Sequence, residues 1–572
     1  MKKMVSFTEA SLGRYMTKGT VSFTARSSAK LASLALLFCL ASCSGVQRDS
    51  ASARPAAAKR PNILFILADD MGYSDIGAFG SEIPTPNLDA LAKRGMLLTD
   101  FYAAMSCAPT RAMLMSGMDN HLAGMGVQGA PRREDQKGQP GYEGHLNFRV
   151  AALPELLTDA GYNTYMVGKW HLGATPETGP HARGFKRVFA SLDGAAHLGS
   201  WDWRGPQDAR FFDNDQIVNV DKDWYSTRDY TKKMIGYIEQ DRAEGKPFFA
   251  FMAFTAPHWP LQAPKESIAK FKGRYDAGYE ALYHERFERQ KKLGLVPRNA
   301  TPIDDARFNP RWADLPEEEK RFMARRMEIY AAMVSDLDHY VGEVIDYLKR
   351  TGQFDNTFIV FASDNGAESS RLDLAAPYKD HIGKEYDHSL DNLGAGNTYV
   401  MYGAGWASAS ATPFNRHKGS GWEGGIHVPA FVHFPKKVAR GSRSDATATM
   451  MDLLPTFLEV AGTKHPGTSF RGREVMPPRG KSLLPVLYGK AREVYGPTDV
   501  LGWEQGGPRA VRQGDWKMVW DQRGPQAQRR WQLFDLAKDR AEQNDLSAAQ
   551  PEKLAEMQRA WEGYDTENGV IY

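Results

Sequence analysis

Asn62-Ile63-Leu64-Phe65-Ile66-Leu67-Ala68-Asp69-Asp70 is an apolar run that ends in two adjacent carboxylates. A segment apolar at nearly every position, rather than at alternate ones, suits a central strand of a parallel sheet covered on both faces. Parallel strands need crossover connections, so this run predicts an α/β architecture. Two aspartates at the carboxyl end of a buried strand are costly unless something positive neutralises them, and that end is where α/β folds place ligands. A hard divalent cation is the simplest neutraliser. A solvated turn is the bland alternative.

The same grammar recurs along the chain. Gly161 to Val167 reads as a strand ending in Gly168-Lys169-Trp170-His171-Leu172-Gly173. In an extended segment Lys169 and His171 point to the same side, where lysine can hold an oxyanion and histidine can relay a proton near neutrality. Lys246 to Phe254 is a further apolar strand, followed by Thr255-Ala256-Pro257-His258-Trp259-Pro260. Asn356 to Ser363 is β-rich and closes in Asp364-Asn365-Gly366-Ala367. Asp364 and Asn365 join Asp69 and Asp70 as oxygen ligands acceptable to Ca²⁺ or Mg²⁺, with none of the Cys/His mixture expected for zinc.

Helices are predicted at Pro86–Ala92, Leu153–Leu157, Glu280–Lys292, Pro316–Lys349 and Asp452–Val460, the fourth with Met327, Ala331, Val334, Leu337 and Val341 on its apolar face. The loop between Lys292 and Pro316 reads as a surface insertion. The stretch Phe185 to Tyr230 holds Trp201, Trp203, Phe211, Phe212 and Trp224 without clear periodicity, either the rim of a pocket or a satellite core.

Ser106-Cys107-Ala108-Pro109-Thr110-Arg111-Ala112-Met113-Leu114-Met115-Ser116-Gly117 contains the only cysteine beyond residue 43. Pro109 in a first turn and Gly117 as a stop predict a short helix that places Cys107 at its N-terminus, where free N–H groups favour an anion. Arg111, four residues on, shares that face. By itself this is equally a buried, inert thiol. Asn415-Arg416-His417-Lys418-Gly419-Ser420-Gly421-Trp422-Glu423-Gly424-Gly425-Ile426 is a glycine-dense loop with Lys418 as a candidate anion or leaving-group contact; its bland reading is a flexible loop with incidental charge. His427 to Val432 follows as a strand. After Pro477-Pro478 the pattern becomes short strands and turns, with Ala510-Val511-Arg512 and Trp516–Trp520 flanking Gly514-Asp515. Gln532–Leu536 and a helix from about Pro551 to Trp561 complete a small antiparallel sheet with a helix.

At 572 residues, 42% hydrophobic and 25% charged, the chain is globular and long enough for about two domains. Residues 1–42 carry six positive charges and one negative, so their removal turns the net charge from +3 to −2. The slight basicity belongs to this leader and gives no argument for nucleic acid. The apolar run Leu31 to Ala41 is too short to span a membrane and fits a secretory h-region. It ends in Leu40-Ala41-Ser42-Cys43, similar to a bacterial lipobox, which implies a lipid anchor on Cys43 in the outer membrane, facing periplasm or exterior; the alternative is a cleaved signal with a coincidental Cys43 and a soluble periplasmic protein. The domain organisation expected is residues 1–43 signal peptide and lipobox, 44–60 flexible tether, 61–480 catalytic domain, and 481–572 a small α+β subdomain.

Cys107-Ala108-Pro109-Thr110-Arg111 fits the Cys-x-Pro-x-Arg modification motif of the type I sulfatases, and Gly168-Lys169-Trp170-His171-Leu172-Gly173 their second signature. From Pro61 onward the chain resembles a bacterial arylsulfatase. The resemblance implies an alkaline-phosphatase-like fold, a large mixed, mostly parallel sheet covered by helices. It also implies hydrolysis of sulfate monoesters to an alcohol or phenol plus sulfate, and a maturation enzyme that converts Cys107 to Cα-formylglycine (3-oxoalanine). The hydrate of that aldehyde is the expected nucleophile, through a covalent sulfated intermediate. Asp69, Asp70, Asp364, Asn365 and the modified Cys107 would hold one Ca²⁺. Arg111 would steady the hydrate, Lys169, His258 and Lys418 would contact the sulfate and leaving oxygen, and His171 would assist breakdown of the intermediate. The alternatives are a phosphodiesterase or phosphonate monoester hydrolase of the same superfamily, or an inactive surface-anchored binding lipoprotein.

Overall fold

The computed structural model describes residues 59–571 except 130–132, 192–196, 200–209, 377, 436 and 522–528. The leader, the lipobox and most of the tether lie outside the described residues, as do Trp201 and Trp203.

Among the described residues ten strands form one sheet. Its spatial order is Ser442–Ser444, Met96–Leu98, Ala430–His433, Thr357–Ser363, Asn62–Ala68, Phe248–Ala253, Asn163–Lys169, Arg187–Ser191, Arg210–Asp213 and Gln216–Asn219. The five strands from Thr357–Ser363 to Arg187–Ser191 are mutually parallel. Antiparallel pairing begins on either side of them, at Ala430–His433 and at Arg210–Asp213. The Asn62–Ala68 strand lies within the parallel block, with Ile66 opposite Met252 on one neighbour and opposite Phe361 on the other.

Its unbroken hydrophobicity has the expected cause. Leu64, Ile66 and Ala68 belong to the core on one face, Ile63, Phe65 and Leu67 to the core on the other, all fully buried. The first face is roofed by the helix Glu317–Arg350, whose Met327, Ala331, Val334, Leu337 and Val341 are fully buried. The opposite face is covered by the helices Cys107–Ser116, Leu153–Asp159 and Leu453–Val460.

One open reading closes and one expectation changes. Phe211 and Phe212 are not pocket rim: they lie on the ninth strand and fill the two cores, one on each face, and Trp224 packs against Phe211 at 5.1 Å. The insertion between the helices Tyr279–Leu293 and Glu317–Arg350 is not merely superficial, because Ile303, Phe308 and Trp312 are buried in the first core.

The small C-terminal sheet is antiparallel in the order Val500–Glu504, Arg509–Gln513, Trp516–Trp520, Gln532–Asp535. The helix Pro551–Asn568, longer than its sequence suggests, packs on one face through Met557 and Trp561. The other face meets Tyr102, Met105, Trp422 and Ile426. At that junction Lys517, fully buried, bridges Glu423 at 2.6 Å and Glu542 at 2.8 Å.

Candidate active site

The parallel block brings four strand ends to one edge. Backbone bonds weld them together: Asp69 N donates to Ala256 O and Asp364 N to Ala68 O. Asp69 and Asp70 leave the first strand, Lys169 and His171 the second, His258 the third, and Asp364 and Asn365 the fourth. The helix that begins at Cys107 runs across this edge from the adjoining face, with Ser106 as its N-cap. Thus the ten predicted site residues converge in space, although they span positions 69 to 418.

Cys107 is fully buried, its Sγ 3.3 Å from Asp69 Oδ1 and 3.6 Å from Asp70 Oδ1. Burial and the carboxylates of Asp364 and Asp69 push the thiol well above its ordinary range. A thiolate nucleophile needs the opposite environment. One turn on, the Arg111 guanidinium forks onto Asp364 Oδ2 from Nε (3.0 Å) and Nη2 (2.7 Å) and lies 3.8 Å from Asp69. It also donates to the Lys169 carbonyl. Lys169 Nζ is 2.8 Å from Asp69 Oδ2.

Lys418 reaches the site from the glycine-dense loop, its Nζ 2.7 Å from Asp70 Oδ1 and 2.9 Å from Oδ2. That loop is not slack. Its backbone is tied on both sides, Lys418 N donating to Ala367 O and Gly419 N to Met105 O. Glycine is required on the strand-end loop that packs against it: a Cβ on Gly366 would lie 2.0 Å from the Gly424 carbonyl oxygen.

His258 Nε2 lies 3.3 Å from Asp70 Oδ2, and its Nδ1 contacts the Trp259 carbonyl, which can only accept. Nδ1 therefore carries a proton, and Nε2 is the atom free to take or give one. His197 Nε2 supports the His258 carbonyl at 2.9 Å.

His171 does not continue the strand beside Lys169 as an extended segment would. Its φ is +59°, and its buried Nδ1 has no hydrogen-bond partner among the described residues. Burial, with Lys169 and Arg111 nearby, holds it well below the usual imidazole range, so it is neutral at pH 7. Asp70 (φ +65°) and Arg416 (φ +65°) are also left-handed. Non-glycine residues in that region cost free energy and cluster where a site over-determines them.

The site's oxygen donors suit a hard divalent cation, and a thiol and an imidazole lie beside them. Asp69, Asp70, Cys107 and His258 each offer a ligand atom, all within 4.8 Å of one another. Asn365 is fully buried; its Nδ2 donates to Asp70 Oδ1 at 2.7 Å while its Oδ1 accepts from no group among the described residues. An orphaned oxygen beside carboxylates is what an oxygen-ligated cation uses. Charge points the same way. The buried carboxylates Asp69, Asp70, Asp364 and Glu368 outnumber the cations Arg111, Lys169 and Lys418 by one. Burial and Asp69 push Asp364 up to about 7. Burial also acts to raise Asp69, but Lys169, His258 and Arg111 outweigh it and hold that carboxyl well below its usual range. A divalent cation would keep both ionised and make the site net positive for an anion.

Sequence reasoning missed Glu368, whose Oε2 is 3.0 Å from Lys418 Nζ. Its signal was available as a further carboxylate just beyond Asp364-Asn365 on the same strand-end loop. Gln505, at the hairpin tip of the C-terminal sheet, was also unforeseen; it accepts from Ser106 Oγ at 2.6 Å, next to Cys107.

Comparison with known proteins agrees with this geometry. The sulfatase family profile matches residues 61–463. An uncharacterized sulfatase of Schizosaccharomyces pombe is 45% identical over 536 residues, 91% of this chain and 96% of the relative. An arylsulfatase of Klebsiella aerogenes is 39% identical over 445 residues, 77% of this chain and 95% of the relative. Among solved structures, Ps i-CgsB in complex with k-i-k-neocarrahexaose superposes with a TM-score of 0.64 at 26% identity, covering 90% of this chain and 94% of that one. Joined to the cysteine-centred site at the strand ends, these matches establish that the chain belongs to the sulfatase family and is a sulfuric ester hydrolase.

Proposed function

We propose that the protein is an arylsulfatase that works through a formylglycine made from Cys107 and a calcium ion held by Asp69, Asp70, Asp364, Asn365 and the modified Cys107. The observation that carries this reading is the convergence of four strand ends, two lysines and an arginine on one buried cysteine whose thiol is kept from ionising. The hydrated aldehyde supplies one oxygen to take the sulfuryl group and a second to expel it, which splits the hydrolysis into two easier steps. The cation, when bound, supplies a fixed double positive charge against the sulfuryl oxygens.

The protein's own groups do the rest. Lys169 and Arg111, both buried, hold negative charge on the sulfuryl side, where the low dielectric makes each cation count for more than in water. Lys418 and His258 face the leaving oxygen, and the Lys418 ammonium donates to it as the ester bond breaks. His171, neutral and next in chain to the buried Trp170, takes a proton in the second half of the cycle.

An aromatic leaving group is supported by Trp259, whose ring lies 4.5 Å from that of His258 and 5.8 Å from that of Tyr399. Its buried Nε1–H has no hydrogen-bond partner among the described residues. Relatives named arylsulfatase, that of Klebsiella aerogenes among them, agree with this choice.

The test is turnover of paired aryl sulfates and aryl phosphodiesters by the matured full-length chain. Its Cys107 peptide should run about 18 Da below the thiol form, as exchange of sulfur for oxygen with loss of two hydrogens requires. The expected result is kcat/KM higher for the sulfates, with Cys107→Ala inactive on both. A Cys107→Ala variant with near-normal rate, or a clear preference for the diester, overturns the reading.

A further inference from the structure

One buried carboxylate in the site has no part in the chemistry described above. Glu368 is 9% exposed and sits within salt-bridge distance of a lysine that faces the leaving group. An anion so close to a site that binds anions is unfavourable for substrate binding, and burying it carries a desolvation cost. Its surroundings are nevertheless built. Oε1 accepts from both Ser370 N (2.8 Å) and Ser370 Oγ (2.7 Å), which leaves Oε2 aimed at Lys418 Nζ, 3.0 Å away. Burial acts to raise the Glu368 carboxyl, but Lys418 and the Ser370 hydrogen bonds outweigh it and hold it below its usual range.

Lysine is a point charge on a flexible four-carbon stem. Here the stem is pinned at its root by Lys418 N donating to Ala367 O, and at its tip by two carboxylates, Asp70 and Glu368. Those carboxylates differ in kind. Asp70 belongs to the ligand set that fits a cation, and it is shared with Asn365 and His258. Glu368 belongs to neither, so its Oε2 remains for Lys418 whatever else engages Asp70.

We propose that Glu368, braced by Ser370, is a positioning residue that holds the Lys418 ammonium against the leaving oxygen of the substrate. This rests on the sulfate-ester reading of the site given above. The consequence concerns leaving groups. A well-placed ammonium matters most where much negative charge gathers on the departing oxygen, as with phenols of high pKa, and least where the phenol is already a good leaving group.

The experiment is a series of aryl sulfates of graded phenol pKa, assayed with matured full-length wild type, Glu368→Gln, Glu368→Asp and Ser370→Ala. Glu368→Gln should lose about 10- to 100-fold in kcat/KM on the poorest leaving group and far less on the best, so the dependence of log kcat/KM on phenol pKa steepens. Glu368→Asp and Ser370→Ala should steepen it less. The rise in Tm on adding calcium should stay as in wild type, which separates a misplaced lysine from a damaged cation site. Parallel loss across the series, or no loss, overturns the proposal, and Ser370→Ala decides it if Glu368→Gln does not fold. Failure of wild type on every aryl sulfate would instead overturn the reading beneath it.

Discussion

Asn365 carries the most direct test at the scale of one residue. It is fully buried and spends its amide protons on Asp70 Oδ1 and on Gly366 O, while its Oδ1 is left without a donor among the described residues. A buried acceptor left unpaired costs about 1–3 kcal/mol, so its retention beside three aspartates is best explained by ligation. Calcium should raise the Tm of wild type, and Asn365→Ala should lose most of that increment. A tenfold weaker affinity removes about 1.4 kcal/mol of ligand-linked stability. Calcium titrations followed by differential scanning calorimetry decide the matter: an unchanged increment removes Asn365 from the ligand set. Each of these ligands was legible in the sequence because each follows an apolar run. Glu368 was visible as a carboxylate on the same strand-end loop, but its role was not, because that depends on Lys418, fifty positions later in the chain.

At the scale of elements, the strand Asn163–Lys169 shows how tightly the sheet's edge is specified. Gly168 has φ +102°, and a Cβ there would lie 1.7 Å from the Ala253 carbonyl oxygen on the neighbouring strand. Lys169 follows at once, so any shift that relieves the clash moves the ammonium off Asp69. Gly168→Ala should therefore destabilise by about 3 kcal/mol, the sum of left-handed strain and overpacking, and lower kcat as well. Urea unfolding reads the first effect; an unchanged midpoint would show that the strands can part without penalty. Fully apolar strands were readable as elements because burial on both faces leaves no alternation to misread. The segment Phe185 to Tyr230 was not, since its strands lie towards the edge of the sheet and its aromatics could have served rim or core. That Phe211 and Phe212 enter opposite cores follows from the sheet being covered on both sides even at its ninth strand. The left-handed turn at His171 was equally hidden, because a histidine gives no sign of positive φ.

For the whole molecule, the join between the large sheet and the C-terminal sheet is polar as well as apolar, and that gives it a pH dependence. The hairpin Gly514-Asp515 announced the small sheet, but alternating charges such as Lys517 read as surface until the fold buries them between Glu423 and Glu542. A second buried link is His121. Its Nδ1 is 2.8 Å from Asp119 Oδ1 and its Nε2 is 3.1 Å from Glu504 Oε2 on the C-terminal sheet, and Tyr564 from the last helix donates to Asp119 Oδ2 at 2.7 Å. Burial alone would lower the imidazole pKa, yet hydrogen bonds and charge from Asp119 and Glu504 push it up to about 9. A group raised on folding lends stability that is complete below its unfolded value near 6.5 and is lost as pH climbs through about 9. At full effect this amounts to on the order of 3 kcal/mol. Other groups that titrate over the same interval, Asp364 and Glu542 among them, are common to wild type and variant, so the comparison isolates the histidine. Between pH 6 and pH 9.5 the Tm of wild type should therefore fall further than that of His121→Asn, with the two curves closest at the alkaline end. If instead the curves run parallel, His121 is neutral in the folded protein, and the link to Glu504 is an ordinary hydrogen bond rather than an ion pair.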